Sequence, residues 1–218
     1  MDTFQDPATT AADRSGPATD RSAPATDGSD RSVPATEPSR DEPAGPGDQA
    51  VAAPIVSTPL APPSGWSDPQ TGTDGPRYWD RLILSESARV RRYKRPATVV
   101  LVEIAGVGVL ARLWGSRVAE QTLAAAARTL SQEIRTSDHI ARLEPIRFGL
   151  LLTETCEVAA INFVERARAA CERDLQVASE VVGVAFGWAS PPKGGDLSDA
   201  MALAARRLDA ELAALSPR

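Results

Sequence analysis

The sequence predicts an α+β fold in which helices surround a central, mainly antiparallel sheet, preceded by a disordered N-terminal tail. Three observations predict it. Amphipathic helical periodicity recurs in several segments, and apolar β-branched runs separate these segments. A short strand–turn–strand pattern also stands in the middle of the chain, where repeated βαβ units would place another helix.

The predicted tail covers residues 1–67. It is dominated by Pro, Ala, Thr, Ser, Asp and Gly, and a seven-residue unit recurs at Asp13–Thr19 and Asp20–Thr26 without an apolar stripe. Such a segment buries too little apolar surface to offset a backbone entropy of about 1–2 kcal/mol per residue. We therefore expect a disordered tail over residues 1–67 and one folded domain over residues 68–215.

The first half of the folded part alternates helix and strand. Arg77–Tyr93 is predicted as an amphipathic helix with a basic outer face. Thr98–Ile104 is predicted as a buried central strand, because its apolar run is nearly continuous. Val107–Arg135 has helical periodicity, and Gly115 with Ser116 predicts a break between two helices.

The second half begins with the hairpin. It is predicted to pair His139–Leu143 with Arg147–Leu152. A helix should follow between Cys156 and Asp174, and a strand at Val181–Ala189. The last helix, Asp196–Leu215, is expected to be capped by Asp196 or Ser198.

Charge and composition exclude several classes of partner. Residues 1–75 carry 12 Asp and Glu against 4 Arg, and the rest of the chain carries 17 against 20 Lys and Arg, so the net charges are −8 and +3. The mildly basic domain suits an anionic nucleotide but lacks the basic stripe that binds nucleic acid. No signal peptide or apolar span is found, which predicts a cytoplasmic protein without membrane contact.

Isolated cysteine, histidine and tryptophan residues favour structural roles. Cys156 and Cys171 form no Cys-x-x-Cys pair, so reduced thiols are expected in place of a disulfide or a metal site. His139, the only histidine, stands at a strand start with no ligand partner at metal spacing. Trp79, Trp114 and Trp188 lie on amphipathic elements and are expected to fill the core, and the alternative is that one of them stacks on a ligand.

Several motifs at the joints of these elements occur in a family order. They are Asp68–Thr73, Pro76–Trp79, Gly115–Leu123, Arg135–Asp138 and Val184–Ala189. Together they resemble the GGDEF domain of diguanylate cyclases over about two thirds of the chain. The resemblance implies a nucleotidyl-cyclase-like fold and a place in bacterial cyclic di-GMP signalling.

The resemblance places the family's signature turn at Glu144, Pro145, Ile146, Arg147 and Phe148. Active members have two glycines and two acids there, and the first acid holds a divalent cation. An isoleucine offers a cation no ligand oxygen, the arginine reverses a charge, and the proline has no N–H. We therefore interpret the turn as degenerate and expect no cofactor, no metal and no enzyme activity.

Two acids remain at family positions for metal and guanine. Glu103 ends the first buried strand, and Glu120 lies within the Gly115–Leu123 motif. An enzyme with residual metal-dependent nucleotide turnover through these two vestigial positions is therefore one alternative. It predicts that Glu103→Ala abolishes the turnover.

Arg135 and Asp138 form an Arg-x-x-Asp motif at the spacing of the family's inhibitory cyclic di-GMP site. In that interpretation Arg135 binds guanine or phosphate oxygens and Asp138 accepts from the guanine edge. Arg89, Arg91 and Arg92 would supply a second half-site. Alternatively, Asp138 only satisfies backbone donors where a helix joins a strand.

The preferred hypothesis is a regulatory domain that binds cyclic di-GMP. The other alternative is a ligand-independent scaffold that forms a homodimer or docks to a protein partner. This scaffold predicts that Arg135→Ala leaves function intact.

Overall fold

A computed structural model describes residues 60–175 and 180–215. Its elements follow the predicted order. They are β1 (Ser67–Asp68), β2 (Thr73–Asp74), α1 (Pro76–Tyr93), β3 (Ala97–Ala105), α2 (Val107–Trp114), α3 (Ser116–Glu133), β4 (His139–Glu144), β5 (Arg147–Thr153), α4 (Glu157–Asp174), β6 (Gly183–Ala189) and α5 (Leu197–Leu215). Most of the predicted tail lies outside the described residues, and its disorder stays a prediction.

The strands form one six-stranded sheet in the order β1-β2-β4-β5-β3-β6. All neighbouring strands are antiparallel except β2 and β4, which are parallel. The predicted α+β class with a mainly antiparallel sheet is confirmed. The two-residue strands β1 and β2 were not predicted, because so short a strand has no side-chain alternation.

The central position of β3 explains its nearly continuous apolar sequence. Val100, Val102 and Ile104 face a core cluster shared with α2, α3 and α4. Val99 and Leu101 face a second cluster shared with α1 and α5. Since successive side chains of a strand point to opposite faces, a strand covered on both faces must be apolar at every position.

The ends of the helices follow local signals. Gly115 takes φ 90° between α2 and α3, a backbone conformation that glycine tolerates, so the predicted break is confirmed. The Asp196 carboxylate accepts from the N–H of Ser198 at 2.8 Å and of Asp199 at 3.2 Å, so Asp196 caps α5.

A close approach fixes α5 against β6. A Cβ added at Gly187 would lie 2.1 Å from the Ala204 carbonyl oxygen and 2.4 Å from the Leu208 nitrogen. The backbone of α5 therefore lies directly over β6, and only glycine fits at that point of the strand.

Arg142 ties the β1–β2 segment to the hairpin. Its side chain is 1% exposed and pairs with Asp68 at 3.2 Å. It also donates to Gln70 Oε1 and to the carbonyl oxygens of Ala61 and Pro145. This buried guanidinium therefore joins residues 61–70 to the hairpin, two parts of the chain that are distant in sequence.

The tryptophans are only partly as expected. Trp79 is 2% exposed and belongs to the second core cluster, and Trp188 packs partly buried against the first. Trp114 is 53% exposed at the end of α2, so its predicted core role is wrong. Trp114 is the last residue of α2, directly before Gly115, where the chain turns into α3.

No helix in the described part of the chain has both the length and the apolarity that a bilayer crossing requires.

Candidate functional site

The residues around the Arg-x-x-Asp motif form a cavity of about 730 Å³. It lies between the second half of α1, the start of β3, the end of β5 and the joint between α3 and β4. Its lining residues are Glu86, Arg89, Val90, Tyr93, Arg95, Pro96, Ala97, Arg135, Ser137, His139, Thr153 and Glu154. Concave sites of this size accommodate small-molecule ligands.

Three arginines line the cavity, and two of them have acidic partners. Arg89 pairs with Glu86 at 2.8 Å, and Arg95 pairs with Glu154. Arg135 is exposed, and within residues 60–175 and 180–215 its guanidinium makes no ion pair or side-chain hydrogen bond. Positive charge that is not locally neutralised is therefore concentrated at Arg135.

Asp138 fixes the backbone between α3 and β4, which carries Arg135. Its carboxylate accepts from the Arg135 N–H at 3.1 Å and from the Thr153 N–H at 3.0 Å. The Thr153 hydroxyl lies 3.3 Å from the same carboxylate. Asp138 is absent from the lining of the cavity and fixes the path of the backbone there.

His139 and Tyr78 support the cavity from β4 and α1. The Tyr78 hydroxyl lies 3.2 Å from His139 Nδ1, and the two ring centroids are 6.1 Å apart. Burial raises the pKa of nearby Asp74, and the charge of His139 opposes that rise. These contacts agree with the structural role expected for His139.

The structure brings together only part of the predicted half-sites. Arg89 lines the cavity with Arg135, whereas Arg91 and Arg92 do not. Arg92 instead lies over the Tyr93 ring, 5.3 Å from its centroid. Arg95, Glu154 and Thr153 were missed, because their places at the ends of β3 and β5 follow from strand pairing across more than fifty residues.

The signature turn is held by ion pairs. Arg147 donates to Glu103 Oε2 from Nη2 at 2.7 Å and from Nε at 3.0 Å, and it pairs with Glu144 at 3.2 Å. The Ile146 carbonyl accepts from the Ile104 N–H at 3.0 Å. These contacts join the turn to the end of β3.

The residues at this turn do not fit a pair of divalent cations. The Glu103 carboxylate is bound by Arg147, and Ile146 offers no side-chain oxygen. Glu120 is exposed on α3. In the part of the chain that the structure describes, no group of three or more His, Cys, Asp or Glu side chains could hold a metal ion.

Comparison with known proteins identifies the family. The family model "Diguanylate cyclase, GGDEF domain" matches residues 66–214. Two curated relatives, from Escherichia coli strains K12 and O6:H1, are both named "Probable diguanylate cyclase DgcC" and are 28% identical over 99 residues. That match covers 45% of this chain and 27% of each relative, so the chain spans about a quarter of their length.

Solved structures share the fold. The GGDEF domain of DgcB from Caulobacter crescentus, in complex with c-di-GMP, matches with a TM-score of 0.62 and 15% identity, over 71% of this chain and 94% of that one. Diguanylate cyclase SiaD from Pseudomonas aeruginosa, in complex with its activator SiaC, matches with a TM-score of 0.61 and 21% identity, over 68% of this chain and 58% of that one. The expected nucleotidyl-cyclase-like fold is confirmed.

These comparisons correct one expectation. The sequence predicted that the chain is not an enzyme, and this is contradicted because the matching family and both curated relatives carry the name of diguanylate cyclase. The expectation rested on the side chains of one turn, whereas the match extends over nearly the whole domain. The chain belongs to the diguanylate cyclase GGDEF domain family.

Proposed function

We propose that this GGDEF domain binds cyclic di-GMP in the cavity beside Arg135 and acts as a regulatory module of cyclic di-GMP signalling. One observation carries the proposal. Of the three arginines that line the cavity, only Arg135 lacks an acidic partner in residues 60–175 and 180–215. An arginine fork that is free of acids binds phosphate and guanine oxygens with two parallel hydrogen bonds.

The chemistry of the cavity suits a dinucleotide with two phosphodiesters. The three arginines carry positive charge, and Glu86 and Glu154 neutralise two of them. Tyr93 and His139 supply aromatic surfaces beside these charges. Aromatic faces and arginine planes are the surfaces on which nucleobases stack.

Asp138 acts in this proposal as a positioning residue. Its bonds to the backbone of Arg135 and Thr153 hold the joint, so Arg135 meets the ligand without first ordering a loop. A preorganised site loses less entropy on binding. The DgcB domain, which shares this fold, is known in complex with c-di-GMP.

Calorimetric titration with cyclic di-GMP tests the proposal. We expect Arg135→Ala to weaken binding about tenfold or more, because a hydrogen bond to a charged group contributes about 1.5–3 kcal/mol. Arg128→Ala is the matched control, since Arg128 is an exposed arginine of α3 whose Nε donates to Ala124 O of its own helix. This control should bind like the unaltered chain.

Each outcome has one meaning. Binding that Arg135→Ala weakens and Arg128→Ala leaves unchanged supports the proposal. Absence of binding to the unaltered chain refutes it and favours the ligand-independent scaffold. Equal losses in both variants would show that general positive charge, and no specific site, attracts the dinucleotide.

We further propose that the signature turn of this chain is a degenerate form in which Arg147 has a bracing role. Its ion pairs with Glu103 and Glu144 support this role, because they join β3, β4 and β5 at the turn. Glu103 is 14% exposed, so leaving it without a partner would cost stability. Arg147→Ala should therefore lower the unfolding midpoint more than Arg128→Ala.

The second candidate function is the diguanylate cyclase reaction. The names of the curated relatives favour it. Its test is incubation of the purified chain with GTP and Mg²⁺ or Mn²⁺, followed by chromatography for cyclic di-GMP. Product that Glu103→Gln abolishes would support this candidate, and absence of product from the unaltered chain would contradict it.

A further inference from the structure

The outer edge of β6 is closed by side chains in place of another strand. β6 is the last strand of the sheet and, among the described residues, pairs only with β3. A sheet edge presents unpaired N–H and C=O groups at alternate residues. In this chain one outward group on each of residues 184, 186, 188 and 190 has a side-chain partner.

The four partners form two ion pairs that connect α4 with α5 across the edge. Arg168 donates to the Val184 carbonyl at 3.1 Å, Glu211 accepts from the Phe186 N–H at 3.2 Å, and the two side chains pair at 2.7 Å. We name this pair the first clasp.

The second clasp lies one turn before the first along α5 and about three turns before it along α4, with the arginine on α5 and the acid on α4. Arg207 donates to the Trp188 carbonyl, and Glu157 accepts from the Ser190 N–H at 3.0 Å. Arg207 and Glu157 pair at 2.7 Å, and their side chains are 41% and 37% exposed. Ion pairs so accessible to water contribute little stability and exchange readily.

An apolar groove lies beside the clasps. It has a volume of about 510 Å³ and is lined by Glu157, Val158, Ile161, Phe186, Trp188, Arg207 and Glu211. Val158 is 75% exposed and Ile161 is 41% exposed, although both are large apolar side chains of α4. The groove therefore has an apolar wall on α4 and a charged wall on α5.

We propose that the β6 edge is a strand-addition site, which takes an extended, uncharged segment of a partner polypeptide with apolar side chains towards α4 and polar ones towards α5. The two clasps open when the segment binds, and its backbone replaces them at Val184, Phe186, Trp188 and Ser190. This site is distinct from the cavity beside Arg135.

The charges of the clasps argue for an uncharged segment. The edge carries two acids and two arginines, which neutralise each other in pairs. A charged segment would leave one of these groups opposite a like charge, whereas a neutral segment meets no such repulsion.

Sterics exclude a second folded copy of the chain. The backbone of α5 lies directly over Gly187 of β6. Pairing β6 with its copy at a strand spacing of about 4.8 Å would bring the two α5 helices roughly that close, whereas packed helices need about 8–10 Å. A single extended segment has no such helix and fits.

The test uses the full chain and an acetylated, amidated peptide of alternating Thr and Val, seven residues long. Two further peptides carry N-methyl groups on the Thr nitrogens only or on the Val nitrogens only. Since alternate N–H groups of a strand point to the same edge, only one of the two methylated peptides should lose binding. Perturbation of the Phe186 and Ser190 amide resonances would report the site.

Two protein variants form a matched pair, because each places an aspartate at an exposed apolar position. Ile161→Asp places a charge on the apolar wall and should weaken peptide binding at least about tenfold. Val109→Asp changes a comparably exposed apolar residue, 39% exposed on α2, and should have no effect. Arg207→Ala removes half of the second clasp and should strengthen binding about threefold or more.

The outcomes separate strand addition from simple edge protection. Selective loss with one methylated peptide, together with the Ile161→Asp effect, supports the proposal. No amide perturbation up to about 1 mM peptide, or equal binding of both methylated peptides, overturns it. In that case the clasps only shield the edge from unwanted pairing. Binding of cyclic di-GMP should be unaffected in all these variants.

Discussion

Single side chains decide how the segments of this domain meet. The guanidinium of Arg142 is 1% exposed and joins Asp68, Gln70, Ala61 and Pro145. Breaking one member of a buried ion pair leaves an uncompensated charge in the interior. Removing one member of a buried ion pair therefore lowers the free energy of unfolding more than removing one member of a surface pair.

Arg142→Ala tests this role. We expect the free energy of unfolding to fall by about 3–5 kcal/mol, because Asp68 would be left buried without its partner. Chemical denaturation monitored by the fluorescence of buried Trp79 would measure the change. Arg166→Ala, which removes a 58% exposed arginine paired with Glu133 at 3.3 Å, should cost less than about 1 kcal/mol.

The two thiols differ in burial and should differ in reactivity. Cys156 is exposed at the start of α4, whereas burial, together with the negative charges of Asp174, Glu133 and Glu172, raises the pKa of Cys171 to about 12. A disulfide reagent at pH 8 should therefore label Cys156 rapidly and Cys171 only after unfolding. Cys156→Ser should remove the rapid phase, and a persisting rapid phase would contradict this assignment.

At the scale of elements, periodicity predicted the helices and the long strands, including the break at Gly115. It could not predict β1 and β2, which have two residues each. It also missed the clasps of β6, because Arg168 and Glu211 lie on different helices and meet only through their packing on opposite faces of the sheet. Arg135 was found through the resemblance alone.

The second clasp makes a prediction about pH. Burial tends to raise the pKa of Glu157, but the Ser190 N–H and Arg207 outweigh it and leave the pKa below its usual value. A carboxyl group with a depressed folded pKa contributes stability above its unfolded pKa and loses it as the pH falls through the folded pKa.

Glu157→Gln should therefore destabilise the domain near pH 7, by less than about 1 kcal/mol for so exposed a pair. The difference should disappear as the pH falls below the folded pKa of Glu157, which is lower than that of an ordinary glutamate. Thermal unfolding of both chains across this range measures it. Glu165→Gln, an exposed acid of the same helix, should show no such pH-dependent difference.

At the scale of the whole molecule, the cavity beside Arg135 collects residues from four parts of the chain. Strand order determines this meeting, since β5 lies beside β3 and β4 lies beside β5 in the sheet, although α2 and α3 separate β3 from both in sequence. Sequence reasoning supplied the elements but not the order of the sheet, so it could not identify the partners of Arg135. The predicted boundary between tail and domain stays a prediction.

Ligand binding to the folded domain should raise its melting temperature. At a cyclic di-GMP concentration of about one hundred times Kd, the folded state gains about 2.7 kcal/mol. For a domain of this size that corresponds to a rise of roughly 5–10 °C. Differential scanning fluorimetry should show the rise for the unaltered chain and a much smaller one for Arg135→Ala at the same concentration.

The contacts of Arg142 reach back to Ala61, and Leu60 packs against the first core cluster. A shortened chain that begins at Asp68 would retain the Asp68 carboxylate but lose the Ala61 carbonyl, which accepts a hydrogen bond from Arg142 Nη2. Such a shortened protein would expose an unsatisfied donor and an apolar gap at its new beginning. A shortened chain made for crystallisation or labelling should therefore begin before Leu60.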